Sequence, residues 1–204
     1  MQLTGIYAIV DADAVESPLA LADGILGAGV RLVQYRAKRG VDRALVRALH
    51  ERTRRCGAVL LINDDLEASL DADGLHAGQE DLSRLGAQAI RARLGGRLLG
   101  ISCATQHEAR AAEALGADYL GVGPYHATAS KSDAGLAIGA EGVRAVAEAT
   151  ALPVAAIGGI ELSDLDAVVR CGAKMAAVIS AIARGPDPAA NARALVARWA
   201  SLVR

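Results

Sequence analysis

Short apolar runs alternate with amphipathic segments along the whole chain of 204 residues. The runs have the length of β-strands, and the segments between them repeat apolar residues at helical spacing. Eight strand–helix units in this order are typical of an α/β fold, the (β/α)8 or TIM barrel. An open doubly wound sheet is the alternative, but it normally carries a glycine-rich turn after its first strand, where this chain has Asp11-Ala12-Asp13. The predicted strands are 5–10, 31–35, 58–62, 74–77, 98–102, 119–123, 153–157 and 175–179, and the predicted helices are 18–28, 42–56, 65–71, 82–94, 105–115, 140–150, 162–171 and 188–200.

The composition fits this fold and a single domain that spans residues 1–204. Hydrophobic residues make up 52% of the chain and aromatic residues 2%, so the predicted strands are aliphatic, as strands covered on both faces by helices are. A net charge of −1 and the shortage of aromatic side chains argue against nucleic acid as a partner. The apolar runs fall short of the roughly 20 residues that cross a membrane, so no membrane association is expected.

The three cysteines predict neither a disulfide framework nor a zinc site. Cys56, Cys103 and Cys171 are odd in number and form no CxxC pair, and a cytoplasmic location is therefore expected. Cys103 follows a predicted strand, yet free cysteines usually serve as small buried hydrophobic residues. The N-terminus lacks the basic region of a signal peptide. The sequence leaves the oligomeric state open, a homo-oligomer included.

Polar residues follow nearly every predicted strand, at the strand ends where parallel α/β folds bind their ligands. Gln34, Arg36 and Lys38 should share one face, because alternate residues of a strand point the same way. Gln34 offers a donor and an acceptor to a heteroaromatic ring, and the two cations suit phosphates attached to it. This segment therefore predicts a site for a phosphorylated ring.

Two acidic segments follow neighbouring strands. Asn63-Asp64-Asp65 and Gly78-Gln79-Glu80-Asp81 supply hard oxygen ligands, which suit Mg²⁺ when substrate phosphates complete its coordination. Acidic loop residues are also common helix caps, and Asp81 would then cap a helix that begins at Leu82. A general acid–base pair is disfavoured, because it usually needs one carboxylate in an apolar setting. Beside the basic segment, the two carboxylates indicate a magnesium–diphosphate site.

The last three units carry the residues expected to bind a phosphate. Gly158-Gly159 and Ser180 follow the seventh and eighth predicted strands, where barrels commonly hold a phosphate. Two glycines allow backbone N–H groups to approach an anion closely. The long loop after the sixth strand adds hydroxyl groups and a lysine, and this lysine lies too far along a polar loop for the desolvated amine of a Schiff base. The polar groups of this loop belong to Thr128, Ser130 and Lys131.

Taken in order, these segments resemble those of the thiamine phosphate synthase family. The ordered set is specific, whereas single pieces such as Gly158-Gly159 recur in many phosphate-binding barrels. Ser130 stands where the family usually has threonine, and Asp164 where it usually has asparagine, but no matched ligand is lost. The resemblance runs from Gly5 to Ile182 and rests on 34–38, 62–64, 74–81, Ser102, 116–131, 156–160 and Ile179-Ser180.

The resemblance implies a transferase of thiamine biosynthesis. Such an enzyme couples 4-amino-2-methyl-5-(diphosphooxymethyl)pyrimidine with thiazole phosphate, giving thiamine phosphate and diphosphate by a Mg²⁺-assisted dissociative substitution. This chemistry needs charge stabilisation on the leaving group more than a strong base. The implied roles are aminopyrimidine diphosphate binding by Gln34, Arg36, Lys38, Asn63, Ser102 and Lys131, of which the three cations are catalytic; magnesium binding by Asp64 and Asp81; and thiazole phosphate contacts from Thr128, Ser130, Gly159, Ile179 and Ser180.

Two other functions remain open on the sequence. A thiazole tautomerase of the same barrel family would isomerise the thiazole without coupling it, and would need a base, for which His76 and His126 are the candidates. A non-catalytic phosphate-ligand-binding barrel would keep the pocket, yet it has no need of Lys131 or of the two matched aspartates.

Overall fold

Eight parallel strands close into a barrel in the computed structural model, which describes residues 3–127 and 135–203. Each strand pairs with its neighbours in chain order, and the last pairs with the first. The (β/α)8 barrel predicted from the alternating pattern is therefore confirmed. The strands are β1 (Gly5–Asp11), β2 (Leu32–Arg36), β3 (Val59–Asn63), β4 (Gly74–Ala77), β5 (Leu98–Cys103), β6 (Tyr119–Val122), β7 (Val154–Ile157) and β8 (Met175–Val178).

Helices surround this barrel and follow every strand. Two of them begin with a capping side chain and a proline: the Ser17 hydroxyl accepts a hydrogen bond from the Ala20 N–H, and the Asp187 carboxylate accepts one from the Ala190 N–H. In the described part of the chain no helix is both long and apolar enough to cross a membrane. The helices are α1 (Pro18–Gly27), α2 (Arg43–Arg55), α3 (Leu66–Ser69), α4 (Gln79–Leu85), α5 (Ala87–Leu94), α6 (Gln106–Ala114), α7 (Gly139–Glu148), a 3-10 turn (Leu162–Asp164), α8 (Leu165–Arg170), α9 (Ser180–Ala183) and α10 (Pro188–Leu202).

Two helical segments differ from the prediction. The single helix expected over 82–94 is wrong, because Gly86 has φ 80° and divides it into α4 and α5. The first of these begins at Gln79 with Gly78 as its N-cap, so Asp81 lies in the first turn and does not cap a helix that begins at Leu82. The short α9 was not expected, because four residues are too few to show a helical period.

Alternate strand residues pack into two separate layers. Those that point inward, such as Tyr7, Leu61 and Met175, fill the barrel, whereas those that point outward, such as Val33 and Leu60, pack against the helices. Gln34 and Arg36 share the inward-facing register of β2, because they stand two and four residues after the inward-facing Leu32. The pleat therefore carries the polar residues of the strand ends to the mouth of the barrel.

Two inward-facing glycines make room for ring side chains inside the barrel. A methyl group at Gly100 would lie 2.1 Å from Cζ of Tyr119, and one at Gly121 would lie 2.8 Å from Cε1 of His76. The Tyr119 ring meets the Tyr7 ring edge to face, with the ring centroids 5.8 Å apart. The glycines thus make room for Tyr119 and His76 among the aliphatic residues of the barrel interior.

We predict that Gly100→Ala lowers the free energy of unfolding by about 1–3 kcal/mol, because the added methyl group overlaps a fully buried ring. Urea unfolding of the purified protein measures this change. Gly96→Ala is the matched control, since a methyl group there meets no atom within 4 Å. Equal stability of the two variants would show that Tyr119 moves aside freely.

Candidate functional site

A cavity of about 400 Å³ opens at the C-terminal ends of the barrel strands. This volume suits a small-molecule ligand. Strands from all around the barrel contribute to its wall, which also contains Tyr7, His76 and Pro124. The site residues predicted from the sequence that line it are Gln34, Arg36, Lys38, Asn63, Asp64, Asp81, Ser102, Gly159, Ile179 and Ser180.

Three further predicted site residues, Thr128, Ser130 and Lys131, lie outside the described residues. The loop that carries them leaves the barrel at the cavity, because Gly123 and Pro124 belong to the cavity wall. Their placement and their roles stay predictions.

Arg36 ends β2 and forms an ion pair with Asp11, which ends β1. The two residues are partners in the strand register, and each side chain is only 9% exposed. A buried guanidinium needs a compensating anion, so Asp11 stabilises the positive charge at the cavity wall. Sequence reasoning missed Asp11, although an acid at the end of the first strand, opposite a strand-end arginine, was a usable signal.

Lys38 follows β2 in a loop that Asp13 holds in place. The Asp13 carboxylate accepts hydrogen bonds from the backbone N–H of Lys38 at 2.7 Å and from Nε of Arg39 at 2.9 Å. The Arg39 guanidinium keeps the pKa of the Asp13 carboxyl below its usual range. The loop after β1 therefore orders the loop that brings Lys38 to the cavity.

Asp64 follows β3 in a backbone conformation that is uncommon for residues other than glycine. Its φ is 62°, and its N–H donates to the His76 carbonyl of β4 at 2.9 Å. The Asn63 side-chain amide donates to its carboxylate. This conformation turns the chain sharply at the strand end, beside the cavity.

Asp81 approaches the same cavity from the first turn of α4. Its carboxylate accepts a hydrogen bond from Arg84 at 2.8 Å and is 17% exposed, whereas the Arg84 side chain is 64% exposed. Asp81 is therefore positioned by its own helix. Asp64 and Asp81 are far apart in the sequence, but the strands they follow, β3 and β4, are neighbours in the barrel.

The donor set of the cavity fits Mg²⁺ in its usual protein form. Asp64 and Asp81 both line the wall, but in residues 3–127 and 135–203 there is no group of three or more His, Cys, Asp or Glu side chains that could hold a metal. Mg²⁺ is commonly bound through one or two carboxylates while substrate phosphates and water complete its octahedron. Two carboxylates beside basic residues match that pattern better than a closed structural cage.

The opposite side of the cavity is formed by the turn after β7 and the start of α9. Gly158 has φ 103° and Gly159 has φ 65°, and a methyl group at Gly158 would lie 2.7 Å from Cα of Pro124. Glycine is required there by conformation and by space. The Ser180 hydroxyl accepts a hydrogen bond from Arg184 at 3.1 Å. These residues form a polar wall of backbone groups and a hydroxyl.

The two candidate histidines differ in position. His76 lines the cavity, with Nδ1 2.8 Å from the Tyr119 hydroxyl and Nε2 3.0 Å from the Ser102 hydroxyl. His126 is paired through Nε2 with the Asp164 carboxylate at 3.1 Å and is not among the described residues of the cavity wall.

Two tyrosines that sequence reasoning missed lie inside the barrel, and one of them, Tyr7, belongs to the cavity wall. Tyr7 accepts a hydrogen bond from Nε2 of Gln34 at 2.7 Å, and its hydroxyl is 2.8 Å from that of Tyr119. Burial raises the pKa of both phenols, so they are neutral at physiological pH. Tyr7 stands inside the apolar first strand, and only the strand alternation signalled that it points inward.

Cys103 packs in the layer between sheet and helices and also belongs to the cavity wall. It is buried, and burial raises the pKa of its thiol to about 12. The prediction that it serves as a small hydrophobic residue is confirmed.

A second, larger hollow of about 960 Å³ lies at the other end of the barrel. Its wall includes Leu98, Pro153 and Trp199, and none of the predicted site residues within the described ranges belongs to it. This hollow lies at the N-terminal ends of the strands. In barrels of this kind, that face contributes to stability, whereas active sites lie at the opposite face.

A comparison with known families now bears on these residues. The sequence profile of a family described as thiamine monophosphate synthase matches residues 6–182. The chain belongs to the thiamine monophosphate synthase family. The match includes every strand of the barrel, apart from the first residue of β1, and the site residues from Gln34 to Ser180. The resemblance drawn from the ordered segments is thereby confirmed.

Relatives within the thiamine monophosphate synthase family match over most of their length. The thiamine-phosphate synthase of Moorella thermoacetica is 46% identical over 183 residues, which cover 87% of this chain and 86% of that protein. That of Geobacillus kaustophilus is 42% identical over 200 residues, covering 93% and 89%. The solved structure of a thiamine phosphate pyrophosphorylase from Pyrococcus furiosus superposes with a TM-score of 0.90 at 28% identity, covering 98% of each chain.

We predict that Asp11→Ala lowers the free energy of unfolding by about 3–5 kcal/mol, because it leaves the Arg36 guanidinium buried without its anion. The double variant Asp11→Ala/Arg36→Met should lose less, since no uncompensated charge remains. Urea unfolding of the three proteins tests this order. A double variant that is less stable than Asp11→Ala would contradict it.

Proposed function

We propose that this chain is a thiamine phosphate synthase, which joins 4-amino-2-methyl-5-(diphosphooxymethyl)pyrimidine to thiazole phosphate and releases diphosphate. One observation carries the proposal: the segments that follow the strands bring Asp64, Asp81, a buried arginine and a lysine into one cavity of a chain that belongs to this family. A diphosphate leaving group with Mg²⁺ needs that combination of charges. The substrates are small molecules, and the expectation of a cytoplasmic location still rests on the cysteine content.

The pyrimidine ring is assigned to the inner end of the cavity. Gln34 is 2% exposed there, and its side-chain amide offers both a donor and an acceptor. Ser102 supplies a hydroxyl from β5, on the other side of the barrel. A heteroaromatic ring between them would be oriented by hydrogen bonds to both side chains.

The diphosphate is assigned to the basic and acidic groups at the cavity mouth. Arg36 and Lys38 bind its oxygens directly, with Asn63 and Lys131 as further donors. Asp64 and Asp81 would hold Mg²⁺, which when bound neutralises negative charge on the leaving group. Asp11 holds the Arg36 side chain in place, so little reorganisation is needed when the diphosphate departs.

The thiazole phosphate is assigned to the wall formed after β7 and β8. The backbone of Gly159 and the groups of Ile179 and Ser180 face the cavity there. Thr128 and Ser130 are assigned as further contacts from the loop after β6. The thiazole nitrogen would then lie across the cavity from the pyrimidine methylene carbon.

The reaction is written as a dissociative substitution. The bond between the methylene carbon and the diphosphate oxygen breaks, and its electron pair leaves with the diphosphate. The thiazole nitrogen then donates its lone pair to the resulting carbocation and becomes a thiazolium. No proton has to move, so the site needs charge stabilisation and not a base.

The two alternative functions are less well supported. A thiazole tautomerase needs a base in the cavity, but His126 is paired with Asp164 outside the described cavity wall, and both ring nitrogens of His76 are hydrogen-bonded. A pure binding protein has no use for a metal-binding pair of aspartates. The coupling reaction uses both aspartates and needs no base.

Diphosphate release by the purified protein tests the proposal. We expect release that requires the pyrimidine diphosphate, thiazole phosphate and Mg²⁺ together, with thiamine phosphate formed in equal amount. Isomerisation of the thiazole without diphosphate release would instead identify a tautomerase. Binding of both substrates without any turnover would identify a binding protein.

We predict that Asp64→Ala and Asp81→Ala each reduce turnover at saturating substrate by about 100-fold or more, while the fold is kept, because diphosphate charge is left uncompensated. The same assay, repeated over a range of Mg²⁺ concentrations, measures the loss. Asp23→Ala is the control, since that aspartate lies on α1 and pairs with Arg52 at the surface. Unchanged magnesium dependence in both site variants would refute the metal assignment.

We also predict that a trifluoromethyl group in place of the pyrimidine methyl slows the chemical step by at least about 100-fold, or about 2.7 kcal/mol in the barrier. An electron-withdrawing group destabilises the carbocation, while binding should change little. Single-turnover rates with the two pyrimidine diphosphates decide the question. Near-equal rates would indicate a direct displacement.

A further inference from the structure

A continuous series of hydrogen bonds crosses the barrel interior from one side of the cavity to the other. Nε2 of Gln34 donates to the Tyr7 hydroxyl at 2.7 Å, and that hydroxyl lies 2.8 Å from the Tyr119 hydroxyl. The Tyr119 hydroxyl lies 2.8 Å from Nδ1 of His76, whose Nε2 lies 3.0 Å from the Ser102 hydroxyl. We call these five side chains the polar chain.

Four members of the polar chain are buried, and Ser102 at its end is half-buried in the cavity wall. Tyr7, Tyr119 and Gln34 are at most 2% exposed, and His76 is 6% exposed. A buried donor or acceptor without a partner costs free energy. The hydrogen-bonding direction of each member therefore depends on that of the next. Only the two ends, Gln34 and Ser102, are also assigned to the pyrimidine.

With a neutral His76 imidazole, two arrangements of the protons make all four hydrogen bonds of the polar chain. Each hydroxyl has one proton to donate, and a neutral imidazole has one N–H. In the first arrangement, the amide of Gln34 donates to Tyr7, Tyr7 to Tyr119, and Tyr119 to His76, which donates through Nε2 to Ser102. Gln34 then turns its carbonyl oxygen to the cavity, and Ser102 turns its O–H there. The second arrangement reverses every bond and both ends.

The structure assigns the first arrangement, with the Gln34 amide nitrogen on Tyr7. A 4-aminopyrimidine presents an amino donor beside a ring-nitrogen acceptor, which matches an acceptor at Gln34 and a donor at Ser102. A 4-oxopyrimidine presents the opposite pair, a carbonyl acceptor beside an N–H donor. It would fit only if all five side chains reversed together.

We propose that the polar chain selects an aminopyrimidine over an oxopyrimidine, with Tyr7, Tyr119 and His76 as positioning residues that set the hydrogen-bonding direction of Gln34 and Ser102. This inference rests on the proposed function, because it takes the ring to lie between those two side chains. None of the three positioning residues needs to touch the reacting atoms. Their effect is on which ring is accepted.

Binding of two unreactive ring alcohols tests the inference without turnover. The probes are 4-amino-5-hydroxymethyl-2-methylpyrimidine and its 4-oxo counterpart, titrated calorimetrically in the presence of Mg²⁺ and inorganic diphosphate. The readout is the ratio of the two dissociation constants, since a general loss of affinity cancels in it. We expect the wild-type protein to favour the amino ring. Tyr119→Phe should reduce that preference about tenfold or more, because reversal of the Gln34 amide then no longer leaves a buried donor or acceptor of the polar chain unpaired.

Two further variants complete the test. Tyr7→Phe interrupts the polar chain at the next link and serves if Tyr119→Phe does not fold. Tyr35→Phe is the matched control, because Tyr35 is a buried tyrosine on the same strand as Gln34 that packs in the outer layer. We expect it to keep the wild-type ratio.

The outcomes separate the two proposals. The inference is overturned if both Tyr119→Phe and Tyr7→Phe keep the wild-type ratio. It is also overturned if the wild-type protein binds both rings equally. In either case, diphosphate release in the coupling assay still supports the proposed function. A wild-type protein that binds neither ring and releases no diphosphate overturns the proposed function, and the inference with it.

Discussion

The two-residue period of a pleated strand, closed into a parallel barrel, decides which side chains of this protein meet a ligand. Closure gathers all the strand C-termini into one ring, and the pleat sends every second residue toward its axis. Gln34 and Arg36 face the cavity for this reason, while Tyr35 between them packs against helices. A shift of one residue in β2 would exchange these roles and remove the site without changing the fold class.

The same constraint explains how far the sequence could be read. Strand boundaries were predicted to within one residue, because aliphatic runs end sharply at polar residues in this chain. The sequence did not predict the division of the helix at Gly86 or the four-residue α9. A break inside a periodic segment and a single helical turn leave little periodic signal. Strand-end polar residues such as Asn63 and Ser102 stood out as site candidates, and the structure places both in the cavity wall.

What the sequence could not reveal were partners that only closure brings together. Tyr7 and Tyr119 are 112 positions apart, yet their hydroxyls are 2.8 Å apart inside the barrel. Each lies in a strand that reads as an ordinary apolar run. Asp11 was likewise taken as part of a turn, because its partner Arg36 belongs to the next strand. Pairwise chemistry across strands depends on register, which a single sequence does not state.

The backbone at Asp64 carries a consequence for how this position can change over time. With φ 62°, the position tolerates aspartate, asparagine or glycine far better than longer or branched residues. Glutamate would keep the negative charge but strain the turn, whereas asparagine would keep the turn but lose the charge. The common substitution of aspartate by glutamate is thus disfavoured at position 64. A substitution there keeps either the backbone conformation or the negative charge, but not both.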